Sequence, residues 1–452
     1  ANHEQAKPPT AQQVSAYDLL LLARQYEQRV TDQQLVDDTN LQLAIDYYQQ
    51  VIAADPQSAQ AHARLGKMLL YLGDIDAASE PILRALELDP QLSDAYASLG
   101  LYYWITRQDG IGAAYLRAVE LNPNNADALF YYATWLWLQS EVDESIDHYR
   151  QARDVDPLSL VRHAELGYIL AFQFPGDEAQ VVITRILQLF PTAPGYLAAA
   201  RIAEANGVPE EAIAYAHKAR LLRPDDPDIA GQLAEMYARI GDFDRARLFE
   251  PEPGMGQLFW QRRYDELIDL GEELAIDRPG DTDVLLLLAF AYNTSGRFDD
   301  ALRILDLAGM PDAAMSESRR ASEVHAMMTM AGALDAIGDK ERADALANYE
   351  LKRNYKFGVV IGEGSRFSHL IEACYLAVLG KDEEALTWLE NLNHLEGASW
   401  LPWLKDQACF QKLADEPRYQ AVVTALEDRL AVIRQRLPKT LERQGLVPNQ
   451  TD

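Results

Sequence analysis

The sequence predicts an all-α protein, a right-handed superhelical solenoid of antiparallel helix pairs about ten hairpins long. Three observations carry that expectation. Six prolines (Pro56, Pro90, Pro123, Pro157, Pro191 and Pro224) recur at intervals of 34, 33, 34, 34 and 33 residues, and a fixed period of this length marks stacked two-helix units. Each of them follows an amphipathic stretch and ends it, because proline lacks the donor that a continuing helix needs. Small residues recur at matched positions inside each period, where two helices must approach closely.

The unit that ends at Pro90 shows the pattern. His62, Leu65, Gly66 and Leu69 share one helix face, Gly73-Asp74 makes the turn, and Ala78, Ile82 and Ala85 line the second helix. Later units keep this grammar. Tyr96, Leu99, Gly100 and Tyr103 precede Ala118. Leu129, Tyr132, Ala133 and Leu136 precede Tyr149 and Ala152. His163, Leu166, Gly167 and Leu170 precede Ala179 and Ile183, and Tyr196, Ala199, Ala200 and Ala203 precede Ala212, Ala216 and Ala219. A first hairpin spans 17–30 and 41–54, with a polar segment, 31–40, between its helices.

The period fails after Pro224. Leu233, Ala234 and Tyr237 continue a first helix and Gly241-Asp242 turns it, but residues 249–256 hold two prolines and two glycines and cannot stay helical. Beyond them, 264–275 reads as a second helix. Leu288, Ala289, Tyr292, Gly296 and Ala301 form another unit, and looser hairpins surround Gly338-Asp339 and Gly380-Lys381. The helix 415–437 closes the chain. Arg434, Arg436, Lys439 and Arg443 lie at its basic end, suiting the negative end of a helix dipole and a capping role. The expected organisation is a linker (1–13), a regular array (14–248), a Pro/Gly joint (249–256), a degenerate array with its cap (257–439) and a tail (440–452).

Composition narrows the function classes. With 48% hydrophobic and 25% charged residues, the chain is a folded protein. Acidic residues outnumber basic ones by 70 to 41, for a formal charge of -29. That surface repels nucleic-acid phosphate and anionic membrane, so the expected partner is a neutral or basic protein or peptide. No apolar run approaches the roughly 18 residues of a membrane span. The two cysteines, Cys374 and Cys409, lack metal-ligand spacing and read as isolated thiols, while a disulfide between them would require an oxidising compartment. Residue 1 is Ala, which suggests a cleaved signal peptide, a trimmed chain or a fragment.

Motifs for catalysis, metal or cofactor binding are missing, so neither an enzyme nor a cofactor is expected. Gly362-Glu-Gly-Ser365 is the nearest glycine-rich loop and lacks a phosphate-binding lysine. His62 and His163 fall at packing positions, and the sequon at Asn293 falls on a repeat turn.

The Leu-Gly pair, the downstream aromatic and the spaced alanines before proline resemble the tetratricopeptide repeat. That resemblance implies a concave face presenting Lys67, Tyr71, Leu101, Trp104, Phe130, Trp137, Tyr168, Phe172 and Arg201. Rings there either pack between helices or anchor a peptide. The family's carboxylate clamp is not assembled, since Arg64, Ala97, Ser98 and Asp127 hold its positions. Its asparagine ladder is replaced by Arg64, Ser98, Tyr131, Glu165 and Ala198. The ends, including Phe410-Gln-Lys-Leu-Ala-Asp-Glu-Pro-Arg-Tyr419, resemble sensory tetratricopeptide regions of bacterial winged-helix transmembrane regulators and adenylate cyclases. The expectation is a non-catalytic, periplasmic or extracytoplasmic sensory or assembly scaffold with a peptide-binding groove. The alternatives are a cytoplasmic adaptor and an enzyme sited in the C-terminal array, around 357–367.

Overall fold

The computed structural model describes residues 15–32, 38–139, 141–310, 321–358, 366–392 and 401–446, which form helices joined by turns, with no strand among the described residues. The expected linker, the Gly362-Glu-Gly-Ser365 loop and the end of the tail lie outside them. Two compact units divide the chain, Ala1–Leu166 and Gly167–Asp452.

The first unit holds four antiparallel pairs: α1 (Ala16–Asp32) with α2 (Asp38–Ala54), α3 (Ala59–Leu72) with α4 (Ile75–Leu88), α5 (Ser93–Thr106) with α6 (Ile111–Leu121), and α7 (Ala126–Gln139) with α8 (Val142–Val155). The start of α9 (Leu160–Gln173) follows. The turn chemistry is local. Gly73 takes a φ of 84°, the left-handed conformation that glycine adopts without strain, and its N–H reaches the Leu70 carbonyl at 3.1 Å. Asp74 then caps α4 by accepting from the Ala77 N–H at 3.1 Å.

The small residues have the predicted role. A methyl group on Gly66 would meet Ile82 and the Ala78 carbonyl, and one on Gly100 would run into the ring of Tyr115. The two packing histidines also explain how a recurring proline is held. His62 and His163 are buried, and each ring Nε2 donates to the carbonyl six residues earlier, Pro56 at 3.2 Å and Pro157 at 3.0 Å.

The second unit continues with α10 (Asp177–Leu189), α11 (Ala193–Ala205), α12 (Pro209–Leu222), α13 (Pro227–Arg239), α14 (Phe243–Phe249), α15 (Met255–Trp260), α16 (Tyr264–Asp277), α17 (Thr282–Thr294) and α18 (Phe298–Leu307). Then come α19 (Ala321–Ala336), α20 (Lys340–Gly358), α21 (Arg366–Val378), α22 (Asp382–Asn391), α23 (Leu401–Asp406), a 3₁₀ segment (Ala408–Leu413) and α24 (Pro417–Arg443). The Pro/Gly segment cuts α14 and α15 short, as two prolines and two glycines require. Phe249 still stacks on Tyr237 at 5.6 Å, and Phe259 meets Phe290 edge-on at 5.1 Å.

Two expectations are corrected. The closing helix does not stop before Pro438: it runs to Arg443, because buried Leu437 and Leu441 hold its last turns while it packs on α12. Arg434 reaches the C-terminal end of a different helix, donating to the Ile240 carbonyl after α13 at 2.6 Å. The cysteines are not isolated thiols. Cys374 on α21 and Cys409 on the 3₁₀ segment are joined in a disulfide with Cα atoms 5.5 Å apart. A separation of 35 residues with an irregular segment between gave no sign that the chain folds back there. The sequon asparagine, Asn293, is fully buried.

Replacing Gly100 by Ala is predicted to cost about 1–3 kcal/mol, since the Tyr115 ring cannot yield as a flexible chain end would. Urea denaturation measures it; an unchanged midpoint contradicts the close-approach reading.

Candidate functional site

The first unit carries a charged cluster that crosses its repeats. Lys67 on α3 is buried, with its Nζ 2.5 Å from Glu27 Oε1 on α1 and 2.5 Å from Asp127 Oδ2 on α7. Arg64 reaches Glu27 at 3.0 Å and Asp94 on α5 at 3.1 Å. Arg162 on α9 pairs with Asp127 at 2.8 Å and Asp156 at 3.0 Å, and donates to the Ala126 carbonyl at 3.1 Å. Tyr48 donates to Glu27 from α2.

A buried lysine must be paired, because its desolvation costs far more than an isolated exposed ion pair returns. Burial by itself would raise the Glu27 carboxyl, but Arg64 and Lys67 outweigh it and hold that group at about 2. Asp127 is likewise driven well below the carboxylate range: burial opposes the shift, and Lys67 and Arg162 overcome it. Lys67 itself is raised, since Asp127 and Glu27 override the cost of burial. Glu27, Asp127 and Lys67 therefore stay ionised at neutral pH and act as an electrostatic framework.

Two cavities open beside this framework. The larger, about 380 Å³, is lined by Arg24, Arg64, Lys67 and Arg162 and by Glu27, Asp94, Asp127 and Asp156, with amide side chains between them. Its four cations face four carboxylates, so its charge is balanced. The smaller, about 250 Å³, shares Asp127 and Arg162 and adds Val30, Tyr71, Phe130, Tyr131 and Val161, giving it an apolar wall. The Tyr71 and Tyr131 hydroxyls bond to each other, Tyr131 stacks on Tyr115 at 5.7 Å, and the Arg162 guanidinium lies 5.7 Å from the Phe130 ring centre.

Of the residues assigned to the concave face in this unit, Lys67, Tyr71 and Phe130 line these cavities. Leu101 and Trp104 are half-buried against core clusters, and Trp137 is half-buried near the end of α7. In the second unit Tyr168 stacks on Phe172 at 6.0 Å, and exposed Arg201 lies over the Tyr168 ring at 4.1 Å, so those three form one group. Glu27, Asp94 and Arg162 were missed. Each lies in an unremarkable polar context, and only the stacking of first helices brings them together. Arg64, Asp127 and Tyr131 occupy clamp and ladder positions without those ligand chemistries, and they line the cavities here.

Among the described residues no cluster of His, Cys, Asp and Glu could hold a metal ion, and no helix is long and apolar enough to cross a membrane.

A family model described as tetratricopeptide repeat matches residues 33–93, 113–159 and 197–250. Those three segments carry tetratricopeptide repeats. The matched segments include the cavity residues Arg64, Lys67 and Tyr71, and Asp127, Phe130 and Tyr131, while Glu27, Val30, Asp94 and Arg162 lie outside them. No curated protein sequence matches the chain. Solved structures with some likeness include yeast Tom70, at 16% identity over 95% of this chain and 98% of that one, with a TM-score of 0.36. A MamA fragment from Desulfovibrio magneticus RS-1 is 20% identical over 38% of this chain and 95% of that one, with a TM-score of 0.27. YrrB, titled a TPR protein with an unusual peptide-binding site, is 19% identical over 39% of this chain and 87% of that one, with a TM-score of 0.25.

The cluster makes stability acid-sensitive in a defined direction. Glu27 falls from 4.5 to about 2 on folding, so its contribution is complete above pH 4.5 and is lost as the pH drops toward 2. A loss on the order of 3 kcal/mol is predicted across that window, read from denaturant midpoints at successive pH values. Glu27→Gln should flatten the profile; an equally steep profile in that variant contradicts the assignment.

Proposed function

We propose that this chain is a non-catalytic tetratricopeptide-repeat scaffold whose first-unit groove binds a protein or peptide segment. The observation that carries the reading is the apolar pocket set directly beside a charge-balanced polar cavity. The pocket walled by Tyr71, Phe130 and Tyr131 suits one apolar or aromatic side chain, the kind of anchor on which interface energy concentrates. Beside it, amide side chains including Asn122 and Asn124 line the polar cavity, and amides carry both the donors and the acceptors that peptide bonds pair with. Because the cavity neutralises its own charges, selectivity for charge comes from the wider acidic surface, which favours a neutral or basic partner.

The setting we infer is extracytoplasmic, as a sensory or assembly module. The Cys374–Cys409 disulfide supports it over a cytoplasmic adaptor, since such bonds persist mainly in oxidising compartments. The likeness to sensory regions rests on the opening motifs Ala16–Tyr26, Ala44–Tyr48 and Asp55-Pro56 and on the closing motif that ends at Tyr419. Here that motif clasps the fold: Phe410, Leu413 and Tyr419 are buried, Tyr419 donates to the Leu404 carbonyl at 2.6 Å, and Arg418 grips Glu390 at 2.6 and 2.7 Å. The motif therefore supports kinship of architecture, and the sensory role rests on the compartment. The enzyme alternative pointed to 357–367, where 359–365 lie outside the described residues.

Panning a displayed peptide library on the intact chain is predicted to select peptides with an aromatic or large apolar residue. Phe130→Ala should weaken a selected peptide at least about tenfold, a hot-spot-sized loss, whereas Leu158→Ala, on an exposed apolar residue that lines neither cavity, should not. Equal affinity for wild type and Phe130→Ala, with the fold intact, rules this pocket out. Thiol titration of unfolded, unreduced protein from the bacterial periplasm should find no free thiol; two would contradict the compartment assignment.

A further inference from the structure

In the second unit, one stretch of chain lies where a repeat array would hold a ligand. Residues 401–413, comprising α23 and the 3₁₀ segment, do not form another helix pair at the end of the array. They run back across α15, α17, α19 and α21, the first helices of four successive pairs. Trp403 packs on Phe259 at 5.1 Å, on Phe290 at 4.5 Å and on His325 at 4.2 Å. The Asp406 carboxylate accepts from Arg262 Nε at 2.7 Å, and its backbone carbonyl accepts from Thr294 Oγ1 at 3.2 Å.

Gln407, fully buried, is read at both ends of its amide. Its oxygen accepts from Asn293 Nδ2 at 3.2 Å and its nitrogen donates to Thr329 Oγ1 at 3.1 Å. Gly332 clears space for the backbone beyond it: a methyl group there would lie 3.1 Å from the Cys409 nitrogen and 3.3 Å from the Ala408 Cβ. Lys412 then bonds the Ala377 carbonyl of α21. An aromatic anchor, a carboxylate gripped by arginine, an amide read by two side chains and a glycine beneath the backbone are the devices of peptide recognition.

We propose that the face formed by α15, α17, α19 and α21 is a peptide-binding groove, that 401–413 is its resident ligand, and that the Cys374–Cys409 disulfide makes the occupancy permanent. The chemistry selected is an aromatic residue followed, three and four positions later, by an acid and an amide. A segment of the same chain competes at a raised effective concentration, and the covalent bond adds a constraint that no free peptide can match. This groove is thereby closed to partners, whatever the first unit binds.

The test uses the full chain and a fluorescein-labelled synthetic peptide of residues 401–413 carrying the Cys409→Ser change. The oxidised wild-type chain should leave its anisotropy unchanged. The C374S/C409S chain with Trp403→Ala, whose resident segment has lost both its bond and its anchor, should bind the peptide at least tenfold more tightly than wild type. A Trp403→Ala peptide should not bind. A folded triple variant that ignores the peptide overturns the proposal. Hydrogen exchange on C374S/C409S alone decides the matter if the triple variant does not fold. Amides of 401–413 should exchange at least tenfold faster than in the oxidised chain while α17 and α19 keep their protection. If α17 and α19 open together with the segment, or the segment stays as slow as before, it is core and not a ligand.

Discussion

One buried ammonium group governs the first unit. Lys67 is shared by Glu27 and Asp127, which stand 40 residues before it and 60 after it in sequence, on α1 and α7. A lysine at 3% exposure is tolerable only while both carboxylates stay in place, so the relative positions of α1, α3 and α7 are constrained by charge as well as by apolar packing. Arg64 and Arg162 extend the constraint to α5 and α9. The cavities exist because this framework holds first helices apart around polar groups, where an apolar seam would have closed. Ion networks of this kind contribute little net stability but leave few alternative arrangements, which is what a preformed binding surface needs.

Helix pairs give a different outcome in the second unit. There the first-helix face is aromatic and amide-bearing, with Phe259, Phe290, Asn293 and Thr329 in place of Arg64, Lys67 and Asp127. The chain itself covers that face. The disulfide and the return of α24 onto α12, with Arg434 on the end of α13 and Arg443 on Glu211, tie down both sides of the covering segment. On the reading proposed above, the partner groove lies in the first unit, beside the cavities that its polar framework borders.

Much of this architecture was legible in the sequence, because it is local. The proline period, the Gly-Asp turns and the Gly66 and Gly100 contacts each depend on residues within one or two helices. The sites were less legible, since they depend on contacts between residues thirty to a hundred and forty positions apart. Lys67 was singled out, but its carboxylate partners looked like any solvated acid in a chain with 70 of them. The repeat positions of Trp104 and Trp137 imply the concave face, but a repeat position alone does not distinguish a ring facing a groove from one packed on a neighbouring helix. The disulfide stayed an alternative to isolated thiols because Cys409 sits in a segment without periodicity, so nothing local shows that it returns to α21.

Hydrogen–deuterium exchange of the intact oxidised chain, with and without a selected peptide, tests the central claim most directly. Protection should increase in 24–30, 64–71 and 124–131, around the first-unit cavities, with 288–294 and 325–332 unchanged beneath the resident segment. Protection gained at 288–294 and 325–332, with the first unit unaffected, would contradict both the open groove and the self-filled one.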